Sequence, residues 1–467
     1  MRKFIWFLAP VSGCLVMLWA QNPDIRGTIT GSNKPAIAVP DLRGSGAAQP
    51  LMGVFNDTLR ADIAAAPVVR LVPKTMYPTT IPQQPSDFRE PPPPAAETPR
   101  ARNRNEIVVP KSGGGLWLTD WSGPPASANY LAFGYTAVTN NVFVLYGWLF
   151  DLSRGTAANA QVIAKRYLGP VDEAGARKVA HEFAADILAL FGGQSLFGTK
   201  IIFVSNRTGN SHDKEIWMMD PDGSNQRQLT HFNSLSIQPA ISPDAAKIAF
   251  TSYARGNPGI FIFSVDPVRQ LPFYNQVASV NETPEFTPDG KQILYSSSAS
   301  GWAQIYVANL DGSGLRRISS STSIEVEPKV NPKTGNEIAF VSGRSGPQQI
   351  YRMNIDGGDV ERLTPGEGEA SNPSWNPDGQ HLAFSWTRGY ATGNFNVFIM
   401  DVASRNYVQL THSEGRNENP SWAPDGQHLV FMSTRSGSSQ IYSMLSDGTQ
   451  VQQLTNQGNN WSPVWGK

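Results

Sequence analysis

Six histidines and a series of aspartate-glycine turns are the residues in this chain whose types could do chemistry. Imidazoles hold zinc only when three or four ligands converge on one point. Here His381 and His428 occupy the same place in two copies of a repeated segment, and His231 and His412 each follow a Leu-Thr pair, so repetition accounts for them and keeps them apart. No metal and no cofactor is expected. The turns Asp220-Pro-Asp-Gly223, Asn309-Leu-Asp-Gly312 and Asn354-Ile-Asp-Gly357 look like the start of a calcium loop, yet no glutamate follows at the bidentate position. They read as hairpin turns. Nucleophilic chemistry has no better footing: there is no Gly-x-Ser-x-Gly elbow, and the Pro-Asp-Gly turns are one residue too short between Asp and Gly for a sialidase-type aspartate box. No enzyme is expected.

The repetition that disperses the histidines also sets the fold. Proline-led segments recur as Pro239-Ala-Ile-Ser-Pro-Asp, Pro284-Glu-Phe-Thr-Pro-Asp-Gly, Pro328-Lys-Val-Asn-Pro, Pro373-Ser-Trp-Asn-Pro-Asp-Gly, Pro420-Ser-Trp-Ala-Pro-Asp-Gly and Pro463-Val-Trp. A period of 40 to 50 residues is that of a propeller blade. After each of the first five comes a β-branched or aromatic run, as in Ile293-Leu-Tyr-Ser-Ser, and a third run such as Gln349-Ile-Tyr-Arg-Met. A short fourth strand such as Glu361-Arg-Leu-Thr then closes the unit. Four antiparallel strands make one blade. In Pro-Asp-Gly, proline presets φ for a type I turn and glycine takes the left-handed conformation that follows, giving a tight hairpin. Lys200-Ile-Ile-Phe-Val-Ser and Glu215-Ile-Trp-Met-Met supply second and third strands with no proline-led strand before them, so Pro463 to Lys467 must return to complete that blade. The expectation is mainly β with α+β: a six-bladed β-propeller over residues 196–467, closed by its C-terminal strand.

Before it, residues 21–195 read as a small α/β domain. Leu51, Phe55, Leu59 and Ile63 mark an amphipathic helix leading to a strand at Val68–Val72. Strands starting at Tyr130, Val142 and Gln161 form a three-stranded antiparallel meander. Asp172 caps a second helix whose Val179, Phe183, Ile187 and Phe191 share a stripe, and Gly192-Gly193 stop it. Residues 82–115, with Pro91–Pro94 and the basic Arg100, Arg102 and Arg104, read as an extended, mobile insertion.

Residues 1–20 read as an export signal: Arg2 and Lys3, then an apolar run from Phe4 to Trp19 ending at Ala20. The run is broken by Pro10, Ser12 and Gly13, too short for a spanning helix, and no membrane span is expected after its removal. Cys14, the chain's one cysteine, is not expected to carry a lipid, because Leu15 to Trp19 stays apolar where a lipoprotein turns polar. The mature chain therefore has no disulfide. Lys+Arg and Asp+Glu are both 38, so no general field draws nucleic acid or an anionic membrane. An exported monomer whose partner is a protein is the expectation.

What remains to act is a face. Strand order puts the loops before each first strand on the same rim as those joining second to third strands. The inner loops offer Gln238, Glu282, Thr283, Glu325, Glu327, Asn372, Glu418, Asn419 and Ser462. The outer loops offer Arg207, Arg255, Arg344, Arg388 and Arg435, each of which could instead pair with a neighbouring blade's carboxylate. Mixed charge around a funnel suits an inserted loop or helix end of another protein. The alternative is a small sugar or peptide in the funnel.

The segments Ala180-His181-Glu-Phe-Ala-Ala-Asp-Ile-Leu and Phe197-Gly-Thr-Lys-Ile-Ile-Phe-Val-Ser, with the Pro-x-Trp-x-Pro-Asp-Gly blades, resemble the TolB family across essentially the whole mature chain. The resemblance implies a periplasmic component of the Tol-Pal envelope system that supports outer-membrane integrity and cell division and docks on the peptidoglycan-associated lipoprotein Pal. It places Val280, Asn281 and Thr283, and Val326 and Glu327, at that contact, with Val280 where the family can carry a histidine. It further implies that the mature N-terminus, Gln21 to Ile29 with Asp24, Ile25 and Arg26, meets the inner-membrane protein TolA. Two departures from the family pattern are the 82–115 insertion and the Pro332-Lys-Thr-Gly turn.

Overall fold

The computed structural model of the protein describes residues 34–89, 116–209, 212–276, 279–412 and 414–467. The expected export segment with Cys14, the stretch holding Asp24, Ile25 and Arg26, and Arg100, Arg102 and Arg104 lie outside the described residues.

The N-terminal half is built on one sheet. Strands β1 (Ala36–Ala38), β2 (Arg43–Gly44), β3 (Arg70–Leu71), β4 (Tyr130–Thr139), β5 (Val142–Asp151) and β6 (Gln161–Gly169) lie in the order β3-β1-β4-β5-β6, with β2 beside β4. The meander was legible. Parallel β1 was not, because Ala36-Ile-Ala carries no alternation, being buried on both faces. Helices α1 (Met52–Ala65) and α2 (Glu173–Ala189) pack on one face, burying Phe55, Leu59, Ile63, Val179, Phe183 and Ile187. The Asp172 carboxylate accepts the Gly175 N–H at 2.7 Å and caps α2.

The other face corrects one expectation. Residues 82–89 are packed rather than extended, because Phe88, 6% exposed, lies between Phe133 and Phe150 at centroid distances of 5.4 and 5.5 Å. The Arg89 N–H donates to the Leu116 carbonyl at 2.9 Å, so the two edges of the intervening segment are clasped together.

Six four-stranded sheets follow, in strand order first-second-third-fourth. Blades II to VI begin with Ser236–Ile241, Asn281–Phe286, Glu325–Val330, Ala370–Trp375 and Asn417–Trp422. Blade I takes Asn460–Gly466 as its first strand, antiparallel to Lys200–Ser205 with Trp465 opposite Ile201. Closure by the C-terminal strand is thus observed, and the Trp465 indole donates to Thr199 Oγ1 at 3.0 Å. Second strands such as Glu337–Ser342 are sandwiched between blades, which explains their unbroken apolar runs: Ile338, Ala339, Phe340 and Val341 are all fully buried. Turns between third and fourth strands press on the preceding blade. At Gly357, φ is 94° and a Cβ would come 2.2 Å from the Ile318 carbonyl oxygen, so only glycine fits.

Candidate binding rim and central channel

Every first strand breaks register at its proline. The pairing skips between Ile237 and Ala240, Glu282 and Glu285, Val326 and Lys329, Ser371 and Ser374, Glu418 and Ser421, and Trp461 and Val464. Proline has no N–H for the ladder, and a bulge is where a strand can absorb that loss. The residue before each proline turns left-handed: φ is 53° at Gln238, 55° at Thr283, 54° at Glu327, 53° at Asn372, 53° at Asn419 and 46° at Ser462. Such backbone costs roughly 1–3 kcal/mol at a non-glycine residue. Six strained residues, one per blade, therefore ring one channel.

Over the apolar cores that neighbouring blades share, a belt of hydrogen bonds at the channel mouth links blade II through to blade VI. The Thr283 N–H donates to Thr251 Oγ1 at 3.1 Å, and the Glu327 N–H to Thr283 Oγ1 at 3.3 Å. Asn372 donates its backbone N–H to Glu327 Oε2 at 2.6 Å and its amide to Oε1 at 3.2 Å, and the Asn419 N–H donates to Ser385 Oγ at 3.1 Å. Deeper in the channel Lys329 pairs with Glu285 at 2.6 Å, and Trp375, Trp422 and Trp465 form part of the wall. The channel volume is about 230 Å³.

Crowding by protein atoms shifts two channel carboxyls. Desolvation holds Glu327 above the usual range, against the Asn372 N–H and the Lys329 charge. Glu285 is raised by desolvation too, opposed by Lys329. Glu418, on the rim, is likewise raised by burial, with Arg416 opposing.

Among the expected contact residues, Gln238, Thr283, Glu327, Asn372 and Asn419 all line this channel, as does Ser462. Glu282 is half-buried on the rim and accepts the Tyr253 hydroxyl at 3.1 Å. Asn281 does not belong with them. It is 1% exposed, its side chain held by Ser279, because alternation turns the third residue before each blade proline into the sheet. Glu325 is fully buried for the same reason, and Val326 is half-buried against the core shared by blades IV and V.

The arginines settle on their own blades rather than on a neighbour's carboxylate. Arg207 donates to Asn460 Oδ1 at 2.9 Å and lies over Trp217 at 4.6 Å. Arg344 pairs with Glu325 and covers Tyr351 at 5.3 Å; Arg388 pairs with Glu367 at 2.8 Å and covers Tyr407 at 4.8 Å. The loop is short enough that the guanidinium falls back onto an aromatic strand below it, where cation–π contact adds to the hydrogen bonds. Sequence reasoning missed Trp302, on the loop between the second and third strands of blade III, which is 57% exposed. Its signal was a large aromatic next to Gly301, at the place where blade VI has Ser438.

The histidines stay dispersed. His381 and His428 each take Nδ1 to the aspartate of their own Pro-Asp-Gly turn, Asp378 and Asp425, at 2.6 Å. Among the described residues no three His, Cys, Asp or Glu side chains gather as a metal set, and no helix is long and apolar enough to cross a membrane.

Fold and site together define a ring-closed six-bladed β-propeller, preceded by an α/β module, with a polar channel mouth. The family model described as the TolB beta propeller domain matches residues 188–385 and 366–467. The chain belongs to the TolB β-propeller family. A TolB homolog of Chlorobaculum tepidum is 43% identical over 110 residues, 23% of this chain and 24% of that protein. The Tol-Pal system protein TolB of Desulfosudis oleivorans is 34% identical over 137 residues, 29% of each chain. The chain thus spans about a quarter of the length of the curated relatives it matches. The crystal structure of TolB from Acinetobacter baumannii shares the fold, with a TM-score of 0.71 at 21% identity over 93% of this chain and 97% of that one.

Proposed function

We propose that this chain is a non-enzymatic scaffold of the Tol-Pal envelope system, working in the periplasm and binding a Pal-like peptidoglycan-associated lipoprotein at the channel rim. The observation that carries the reading is the ring of six left-handed residues, which sets polar side chains around one opening on a rigid frame. Strained backbone kept in all six blades is a feature of sites that must present groups in fixed geometry. Relatives named as Tol-Pal system proteins supply the system. A contact of residues 21–29 with a TolA-like protein, and a role in outer-membrane integrity and cell division, belong to the same reading.

A small sugar or peptide in the funnel is the weaker reading, since about 230 Å³ is below the ~300–1,000 Å³ of ordinary ligand pockets. The test uses the mature chain and the soluble domain of the Pal-like lipoprotein from the same organism. Wild type captures it. Asn419→Arg, which fills the mouth while leaving the backbone N–H of that position on Ser385, abolishes capture while its circular dichroism spectrum stays that of the wild type, at a stability cost of up to roughly 1–2 kcal/mol for a long side chain on left-handed backbone. Undiminished capture by that variant removes the channel mouth from the interface.

A further inference from the structure

The rim is not six-fold in chemistry. Five of the loops joining second to third strands carry an arginine, Arg207, Arg255, Arg344, Arg388 and Arg435. Each lies over an aromatic ring of its own blade. Blade III reads Ser298-Ala-Ser-Gly-Trp-Ala303, with Ala299 where blade IV has Arg344. In place of a folded-back cation it presents Trp302, 57% exposed, which among the described residues meets no aromatic ring and no cation. The turn before it is tight, the Gly301 N–H donating to the Ser298 carbonyl at 2.9 Å, so the indole is displayed from a short, bonded loop.

A second apolar side chain stands beside this loop. Val280 is 43% exposed, and its backbone is paired with Ser298 in both directions, N–H to Ser298 Oγ at 2.9 Å and carbonyl to the Ser298 N–H at 3.0 Å. Charge differs in this sector too. Glu325, Glu367 and Glu418 are each neutralised by an arginine. Glu282 has only the Tyr253 hydroxyl, and Glu327 only the Asn372 donors, with no cation bonded to either among the described residues. An exposed tryptophan on a loop whose first residue, Ser298, is paired with an exposed valine has the composition of an interface anchor. Carboxylates to which no cation is bonded, Glu327 feeling among cations only Lys329, which is already paired with Glu285, favour a positive partner.

We propose that the blade III sector anchors a protein segment in which a lysine or arginine stands next to a large apolar side chain. The apolar group covers Trp302 and Val280, and the cation takes Glu282 and the channel-mouth Glu327. This rests on the scaffold reading above and fixes the partner's rotation about the ring, since among the described residues no other blade offers the same pair.

The test measures affinity for the soluble Pal-like domain at two salt concentrations, for wild type and three surface variants. Trp302→Ser weakens binding at least about tenfold with an unchanged melting temperature. Glu282→Gln weakens it and flattens its salt dependence, while Ser438→Ala, at the matching place in blade VI, leaves both unchanged. If wild type binds and Trp302→Ser binds equally well, the anchor is overturned and the scaffold reading stands. Equal salt dependence in Glu282→Gln overturns the cationic partner. Failure of wild type to bind overturns the scaffold reading itself and the anchor with it.

Discussion

The carboxylate of Glu327 in blade IV takes the backbone N–H of Asn372 in blade V at 2.6 Å, tying two blades together at the channel mouth. One side chain thus has two duties, bonding the ring and facing the opening. Its variants separate them. Glu327→Gln keeps an acceptor for that N–H and removes a charge that burial disfavours. Glu327→Ala leaves the N–H unpaired, which costs about 1–3 kcal/mol in urea unfolding. The sign of the pH dependence follows from the raised carboxyl. The folded state binds the proton more tightly, so stability is fully present below the ordinary value of 4.5 and falls as pH rises through the raised one. The gain of Glu327→Gln over wild type therefore grows from near zero below pH 4.5 to its full size at neutral pH, and a gap independent of pH contradicts the assignment.

His381 gives a pH dependence in a higher window. The hydrogen bond that its Nδ1–H donates to the Asp378 carboxylate raises its pKa above 6.5, with desolvation opposing and the charges of Asp378 and Asp401 adding to the rise. A protonated His381 therefore adds stability that is complete below pH 6.5 and fades as pH climbs through the raised value. Unfolding free energies of wild type and His381→Gln, measured from pH 5.5 to 8.5, converge with rising pH. A constant difference across that range argues that the pair is not ionic.

Closure makes Trp465 the side chain on which blade I depends. Its indole N–H donates to Thr199 Oγ1, its backbone N–H donates to Ser421 Oγ at 3.0 Å in the neighbouring blade, and the residue is 6% exposed. Trp465→Ala is expected to cost about 3–5 kcal/mol, as for other buried aromatic truncations. Deleting Pro463 to Lys467 costs more, since it also exposes the Lys200–Ser205 edge. A melting curve unmoved by the deletion is incompatible with the observed pairing.

The blades were legible because each repeated unit announces itself through proline, a β-branched run and a glycine turn, and because Pro463-Val-Trp has no partner except the unpaired Ile201 strand. The rim was legible only in part. Gln238, Thr283 and Glu327 could be placed next to a proline, but their left-handed backbone comes from the bulge, which depends on the strand opposite. Asn281 was put at the contact by a resemblance that counts residues back from the proline and does not register which of them alternation turns into the sheet, and Phe88 was hidden by its setting in a proline-rich stretch. The arginines illustrate the remaining gap: whether Arg344 faces solvent or Glu325 depends on Tyr351 beneath it, and no linear spacing states that.

One further left-handed residue tests the turn chemistry apart from binding. Blade II reads Pro243-Asp-Ala-Ala, so Ala245 stands where blades III, V and VI have Gly290, Gly379 and Gly426. Its φ is 54°, against 67°, 69° and 67° for those glycines, and its N–H closes the same turn on the Ser242 carbonyl at 2.8 Å. Alanine pays roughly 1–2 kcal/mol for this conformation. Replacing it with glycine loosens the unfolded chain by about 0.4–1 kcal/mol. The strain is the larger quantity, so Ala245→Gly raises stability by about 0.5–1 kcal/mol, although glycine in place of alanine usually lowers it. Urea unfolding at pH 7 decides the matter: a destabilised variant means that the Pro-Asp-Gly glycines serve something other than the left-handed turn.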